Sequence, residues 1–379
     1  MPTESEPWRG RPHYMRMRAL AGAAELAVFV TDPSYPRTFG GGPRAFETRA
    51  PGRLIPVPRA EVGYVAYPVL PVITRGINGY VLGGRLLRRL RHYRPDVVLG
   101  YFVHPEGSAA LHAARELGVP AVVCAVGSDL RRIPGRFSRY LTRKTLERAS
   151  TVIAVSGDLV RCAIELGAPP DRTIRIVNGC DGGLFKPAAR KAARAELGIP
   201  DSARMVLFAG HLVELKGLHE LLAAFDVLSA DRRAILAVLG SGPLRNAVSA
   251  AAERHCGRIL APGARPPEEV ARWLAACDVV CLPSHSEGCP NIVIEALTCG
   301  RPVVASAVGG IPELVNSSNG VLVAPGDPPA LAAALEGALS RQWDAQAIAL
   351  DGGRTWADVA RETVRACSGP IARTYVQAA

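Results

Sequence analysis

DVVCLPSHSEGCPNIVIEALTCGRPVVASAV, residues 278 to 308, reads as strand, loop, helix and strand in direct succession. DVVCLPS is a buried strand that ends at Ser284, and HSEGC is the loop. Pro290 fits the first turn of a helix, Gly300 fits the position just past its end, and PVVASAV resumes as strand. Two carboxylates stand out. Glu287 lies in the loop at the carboxyl edge of a sheet, and Glu295 sits on the second helical turn inside IVIEAL. A carboxylate in an apolar run is costly unless a partner or a ligand meets it. The amides of Cys289, Asn291 and Ile292 at the helix start, next to Gly288, form a natural anion site. Carboxylates flanking a phosphate would bind hydroxyls beside it, as a nucleotide sugar provides: one takes the ribose, the other the sugar.

Outward from this unit, short Val- and Ile-rich runs alternate with helical patterns. ELAVFV (25–30), DVVLGYF (96–102), AVVCAV (121–126), TVIAVS (151–156) and IRIVN (174–178) form one group. RMVLFAG (204–210), ILAVLGSG (235–242), RIL (258–260), DVVCLPS, PVVASAV and GVLVAP (320–325) form a second. Strands apolar on both faces and separated by helices imply parallel sheets covered by helices. Two groups imply an α/β chain of two doubly wound, Rossmann-like domains. The Gly-rich NGCDGG marks the boundary, giving domains 1–180 and 181–355. Residues 356–379, opening with TWADVARETVRAC, form a helical segment expected to cross back to the first domain. Ligands are expected in a cleft where the carboxyl ends of the two sheets face each other. The N-terminal domain opens with a helix, HYMRMRAL, before its strand ELAVFV. Either its first strand is absent or the start is placed late.

Composition narrows the class. The 379 residues are 48% hydrophobic and 21% charged, which excludes a disordered chain. No apolar stretch reaches the roughly 18 residues of a membrane span, and MPTESEPWRGRPHY carries no signal-peptide core; an intracellular, cytoplasmic protein is expected. The nine cysteines form no CxxC pair and lie mostly in apolar settings, so neither disulfide nor metal is expected. The formal charge of +11 asks for an anionic partner. RLLRRLRHYRP (85–95) and RRIPGRFSRYLTRKTLERAS (131–150) hold much of the excess. They read either as solvated helix faces or as a basic surface against acidic headgroups at the inner face of a membrane. No nucleic-acid motif accompanies them.

Two further loops fall on the same sheet edge as Glu287. FAGHLVELKG (208–217) places His211 and Lys216 where a cation can reach a diphosphate. VLGSGPLR (238–245) resembles a phosphate loop but lacks the third glycine, so Gly240 and Gly242 read first as turn residues.

Together SEGCPNIVIEALTCGRPVVAS, AGHLVELKG, GSGPLR, AVGGIPELV and NGCDGGLFKP resemble the donor domain of the retaining glycosyltransferase family 4, group 1, with its two-domain GT-B fold and E-x7-E signature. The resemblance runs from about residue 94 onward. It implies a transferase that moves a sugar from a nucleotide-diphosphate sugar to a glycan or lipid-linked acceptor, in surface polysaccharide or glycoconjugate synthesis. It implies that Glu295 binds the ribose, Glu287 contacts the donor sugar, and Lys216 neutralises the diphosphate. The amides near Asn291 and Ile292 would hold the distal phosphate, with His211, Gly240, Gly288 and Cys289 around the donor. Configuration would be retained without a protein nucleophile, and without cofactor or metal. VHPEGSAALHAA (103–114) resembles the acceptor-side loop, making His104 a catalytic candidate and Glu106 a neighbour; AVGSDL (125–130) adds Ser128 and Asp129. Two positions depart from the family: Val126 and His211 stand where basic residues are usual. The glycine-rich loop after the family's first strand is missing, and FGGGPR (39–44) comes too late to replace it. Two other readings compete: a sugar-nucleotide epimerase on the same fold, and a binding protein that has lost catalysis.

Overall fold

The computed structural model describes residues 1–4, 10–36, 46–48, 52–69 and 77–378; FGGGPR lies outside them. The chain divides into two compact units, Met1–Val177 with Trp356–Ala379, and Asn178–Thr355. Asn178, Gly179 and Cys180 go with the second unit because their bonds are there. The Asn178 side-chain amide donates to Cys289 O and Asn291 Oδ1, and the Cys180 amide donates to Arg354 O.

The first unit begins with α1 (Arg11–Leu20), followed by β1 (Leu26–Pro36), β2 (Phe46–Thr48) and β3 (Ala60–Pro68). Then α2 (Asn78–Tyr93), β4 (Val98–Tyr101), α3 (Ser108–Leu117), β5 (Ala121–Ala125), α4 (Ser128–Arg131), α5 (Gly135–Arg148), β6 (Thr151–Ala154), α6 (Gly157–Glu165) and β7 (Thr173–Arg175) alternate. β4, β5, β6 and β7 form a parallel sheet in that order, and β1 pairs in parallel with β3 and antiparallel with β2. The nine-residue β3 was not among the strands expected from sequence. Gly63 and Ala66 dilute its apolar pattern, although Val65 and Tyr67 are buried. Among the amino-terminal residues, Glu4 N donates to Arg53 O and Ile55 N to Pro2 O.

Helices cover both faces of this unit. On one face Leu82, Leu86 and Leu90 of α2 and Ala109, Ala110 and Ala113 of α3 pack on Val65, Tyr67 and Val98. On the other, Met15 of α1 and Trp356, Val359 and Cys367 pack on Val122, Cys124 and Ile153. Trp356, Val359 and Cys367 belong to the C-terminal helix, Trp356–Ala378, so that helix is part of the first unit. The buried Arg16 guanidinium lies 5.2 Å from the Tyr101 ring centre and 5.6 Å from that of Trp356, which ties α1, β4 and the C-terminal helix together.

The second unit runs α7 (Arg190–Leu197), β8 (Arg204–Ala209), α8 (Leu218–Leu228), β9 (Ala234–Leu239), α9 (Arg245–Arg254), β10 (Ile259–Gly263), α10 (Pro267–Ala276), β11 (Val279–Leu282), α11 (Asn291–Thr298), β12 (Val303–Ser306) and β13 (Gly320–Val323). α12 (Pro328–Ser340) and α13 (Ala345–Asp351) complete it, and the C-terminal helix is α14. Its six strands are all parallel, in the order β10-β9-β8-β11-β12-β13. The chain therefore winds outward from β8 in one direction and then restarts from β11 in the other. At this switch point the connecting helices lie on opposite faces and leave a crevice at the carboxyl ends of β8 and β11. A buried arginine braces the unit from below: Arg194 donates to Ala276 O, Asp201 O and Ala203 O and to Asp278 Oδ2 at 2.7 Å. Among the described residues no helix is long and apolar enough to cross a membrane.

Candidate active site

The loops after β8 and β11 meet at the switch point of the second unit. Gly217 makes the meeting possible. It has φ +67°, and a Cβ there would lie 1.9 Å from Pro283 O, so only glycine lets the two backbones touch. One residue earlier, Lys216 Nζ reaches Glu287 Oε1 at 2.5 Å. Around this pair, His285 N donates to Leu215 O and Ser284 Oγ donates to Glu287 Oε1 at 2.7 Å. Glu287 is thus a buried carboxylate whose cost is met by an ammonium and a hydroxyl.

Glu295 lies one helix further in. α11 buries Val293, Ile294, Ala296, Leu297 and Thr298, whereas Asn291, Ile292 and Glu295 are half-buried. Positions 291, 292 and 295 share a face at helical spacing. The carboxylate inside IVIEAL is therefore on the open side of the helix. It lies close enough to Cys180 to add to burial, which pushes that thiol up to about 12. Pro290 is the residue before α11 and not within its first turn, so the helical amides, which no side chain caps, begin at Asn291. Asn178, whose role sequence reasoning missed, holds this start: its side-chain amide bonds Asn291 Oδ1 at 3.0 Å and Cys289 O at 3.3 Å. The Gly-rich NGCDGG around Asn178 reads as a boundary signal, which masks a side chain reaching across more than a hundred residues. Gly288 and Cys289 lie in the loop between Glu287 and that helix.

His211 is exposed on the loop after β8. Gly240, on the loop after β9, has φ +144°, and a Cβ there would lie 1.8 Å from Gly210 O. The GSG stretch thus packs backbone against backbone beside the β8 loop, which by itself accounts for its glycines.

In the first unit the acceptor-side candidates come from the ends of β4 and β5. Phe102, just after β4, has φ +68°, a strained value for a bulky residue of the kind that concentrates at functional sites. His104 Nδ1 is 2.8 Å from Ser108 Oγ, which is 2.6 Å from Thr145 Oγ1, and Thr145 donates to Leu141 O. Because the Thr145 proton goes to Leu141, Ser108 donates to Thr145 and is left to accept from His104 Nδ1. Glu106 accepts a hydrogen bond from Thr31, and burial, with the Asp129 carboxylate nearby, pushes it up to about 6.

Asp129 accepts from the amides of Val103, Val126 and Gly127, fastening the loop after β4 to the loop after β5. Burial raises its pKa against the pull of those amides. Ser128 is exposed at the start of α4. Val126, which stands where a basic residue is usual, contributes its amide to the Asp129 knot.

Residues 203–341 match the domain family described as glycosyl transferases group 1, and residues 14–179 match the glycosyl transferase 4-like domain. The chain is 33% identical over 305 residues to a D-inositol 3-phosphate glycosyltransferase of Frankia alni, covering 70% of this chain and 74% of that protein. The chain belongs to the group 1 glycosyltransferases. It is also 30% identical over 249 residues to TuaC of Bacillus subtilis, named for teichuronic acid biosynthesis, covering 65% of this chain and 61% of TuaC. Against four such relatives the match spans 36% to 61% of their own length.

Among solved structures, sucrose-phosphate synthase of Thermosynechococcus elongatus superposes with TM-score 0.72 at 21% identity, covering 100% of this chain and 96% of that one. Anabaena HepE in complex with UDP superposes with TM-score 0.69 at 20% identity, covering 82% and 92%. The fold is that of the GT-B glycosyltransferases, two Rossmann-like domains with parallel sheets.

Proposed function

We propose that the protein transfers a sugar from a nucleotide-diphosphate sugar to a glycan or lipid-linked acceptor, with retention of anomeric configuration. The observation that carries this reading is the Lys216–Glu287 contact at the switch point of the second unit. There an ammonium, held by a buried carboxylate, stands one loop away from the open amides of α11. A diphosphate would draw Lys216 from Glu287 and rest its distal phosphate on those amides. Glu295 would then take the ribose hydroxyls, and the released Glu287 a sugar hydroxyl. In this reading the diphosphate charge is met by protein groups alone, with no metal or cofactor assigned. That HepE is solved with UDP supports a nucleotide of this class. His104 is assigned to the acceptor side, together with Glu106, Ser128 and Asp129.

We infer also that the acceptor is met at an anionic membrane surface on the cytoplasmic side. α2 carries four arginines and no acid, and α5 carries five cations against one acid. These two helices supply +8 of the chain's formal +11. The family relationship favours neither an epimerase nor a protein without catalysis.

The test is release of nucleoside diphosphate from a panel of sugar nucleotides by wild type, Lys216→Ala and Glu295→Ala. Wild type should turn over at least one donor, and each variant should lose about a hundredfold or more in kcat/KM, the scale of removing one group that stabilises developing charge. Failure of wild type to bind or consume any donor would sink the proposal.

A further inference from the structure

A cavity of about 390 Å³ lies in the first unit among α2, α3 and α5, apart from every donor-side residue named above. Its walls have an unusual composition. Arg115 of α3 and Lys144 and Arg148 of α5 line it, with His104 and His112, and no carboxylate is among its lining residues. Leu111, Val119 and Leu141 supply apolar wall. Lys144 is held by Glu147 at 2.7 Å, whereas the structure gives neither Arg115 nor Arg148 an ion pair among the described residues. A site lined by both cations and aliphatic groups suits an anionic amphiphile better than a free inorganic anion.

The rims point the same way. On the α2 side Tyr80 is 59% exposed and meets His112 edge to face at 5.6 Å. On the α5 side Phe137 and Tyr140, 59% and 53% exposed, stack on each other at 6.5 Å, and Lys144 lies 5.8 Å from the Tyr140 ring centre. Exposed aromatic rings beside cations are the side chains that settle at a headgroup boundary. Both rims belong to the two helices that together carry +8 of the chain's formal net charge of +11.

We propose that this groove binds a phosphate-bearing lipid, with the phosphate on Arg115, Lys144 and Arg148 and the first chain carbons on Leu111, Val119 and Leu141. The assignment rests on the membrane-facing reading given above and adds a discrete site to it.

Dihexanoyl phosphatidic acid, a lipid phosphate that stays soluble, separates the site from general attraction to a charged surface. Calorimetric titration of the full chain should show saturable binding, weakened about tenfold or more in Arg115→Gln/Arg148→Gln, since each charged contact is worth more than a neutral one. The Arg89→Gln/Arg91→Gln variant removes the same charge from exposed α2 positions outside the groove and should bind like wild type. Inorganic phosphate should bind far more weakly than the lipid phosphate. Absence of saturable lipid binding, equal loss in both double variants, or inorganic phosphate binding as tightly as the lipid would each overturn the proposal. UDP titration of the same samples reads the donor site separately. UDP affinity should be unchanged in both variants, so failure of the groove leaves the transferase reading standing, and the reverse.

Discussion

Glu106 shows how a single side chain carries a pH dependence. Its carboxyl is raised from 4.5 to about 6, chiefly by burial. Between those values the folded protein holds a proton that the unfolded chain has released, so stability should fall as pH rises through that window. The loss is about 2 kcal/mol if the shift is fully expressed. Urea unfolding followed at pH 4 to 7 should show this decline, and Glu106→Gln should flatten it. A slope unchanged in the variant would place the titration elsewhere. At the same scale the carboxylates Glu287 and Glu295 have different surroundings. Glu287 is buried and paired with Lys216 and Ser284, whereas Glu295 lies on the half-buried face of its helix. The sequence showed that Glu295 needed a partner or a ligand, but not that Lys216 and Ser284 would answer Glu287.

The element that matters most to the candidate site is the turn at Gly217, where the loop after β8 touches the end of β11. Gly217→Ala would put a methyl group into Pro283 O and also strain a positive φ. The two loops should part, and Lys216 should lose its place beside Glu287. UDP binding is expected to weaken about tenfold or more, with a lowered Tm, because positioning by the loop is lost along with packing. A variant that binds UDP as wild type does would remove the turn from the argument. The strand-loop-helix-strand unit at 278–308 was legible because local signals agree: apolar strands, a Pro before the helix and a Gly after it. β3 was not, because its apolar residues are interrupted by small ones and its strand character comes from nine residues of pairing with β1.

Charge is a property of the whole molecule here, yet two helices of one unit concentrate it. Sedimentation with vesicles containing an anionic phospholipid should capture the protein at low salt and release it near 1 M salt, where screening shortens to about 3 Å. Vesicles of neutral lipid should capture little. Absence of binding at low salt would remove the membrane from the proposed function. The basic runs were visible in the sequence at 85–95 and 131–150, but not that α2 and α5 frame one cavity with α3 between them.

By itself the sequence determined the class of fold, two groups of buried strands separated by helices, and the residue types at the candidate site of the second unit, because strand burial, helix ends and loop composition are written locally. The tertiary structure alone decided which distant residues meet. Asn178 braces Asn291, Asp129 knots two loops through three amides, and α14 packs with the first unit through Trp356. Such contacts depend on sheet order and close backbone approach, which join residues far apart in the chain and leave no periodic mark along it.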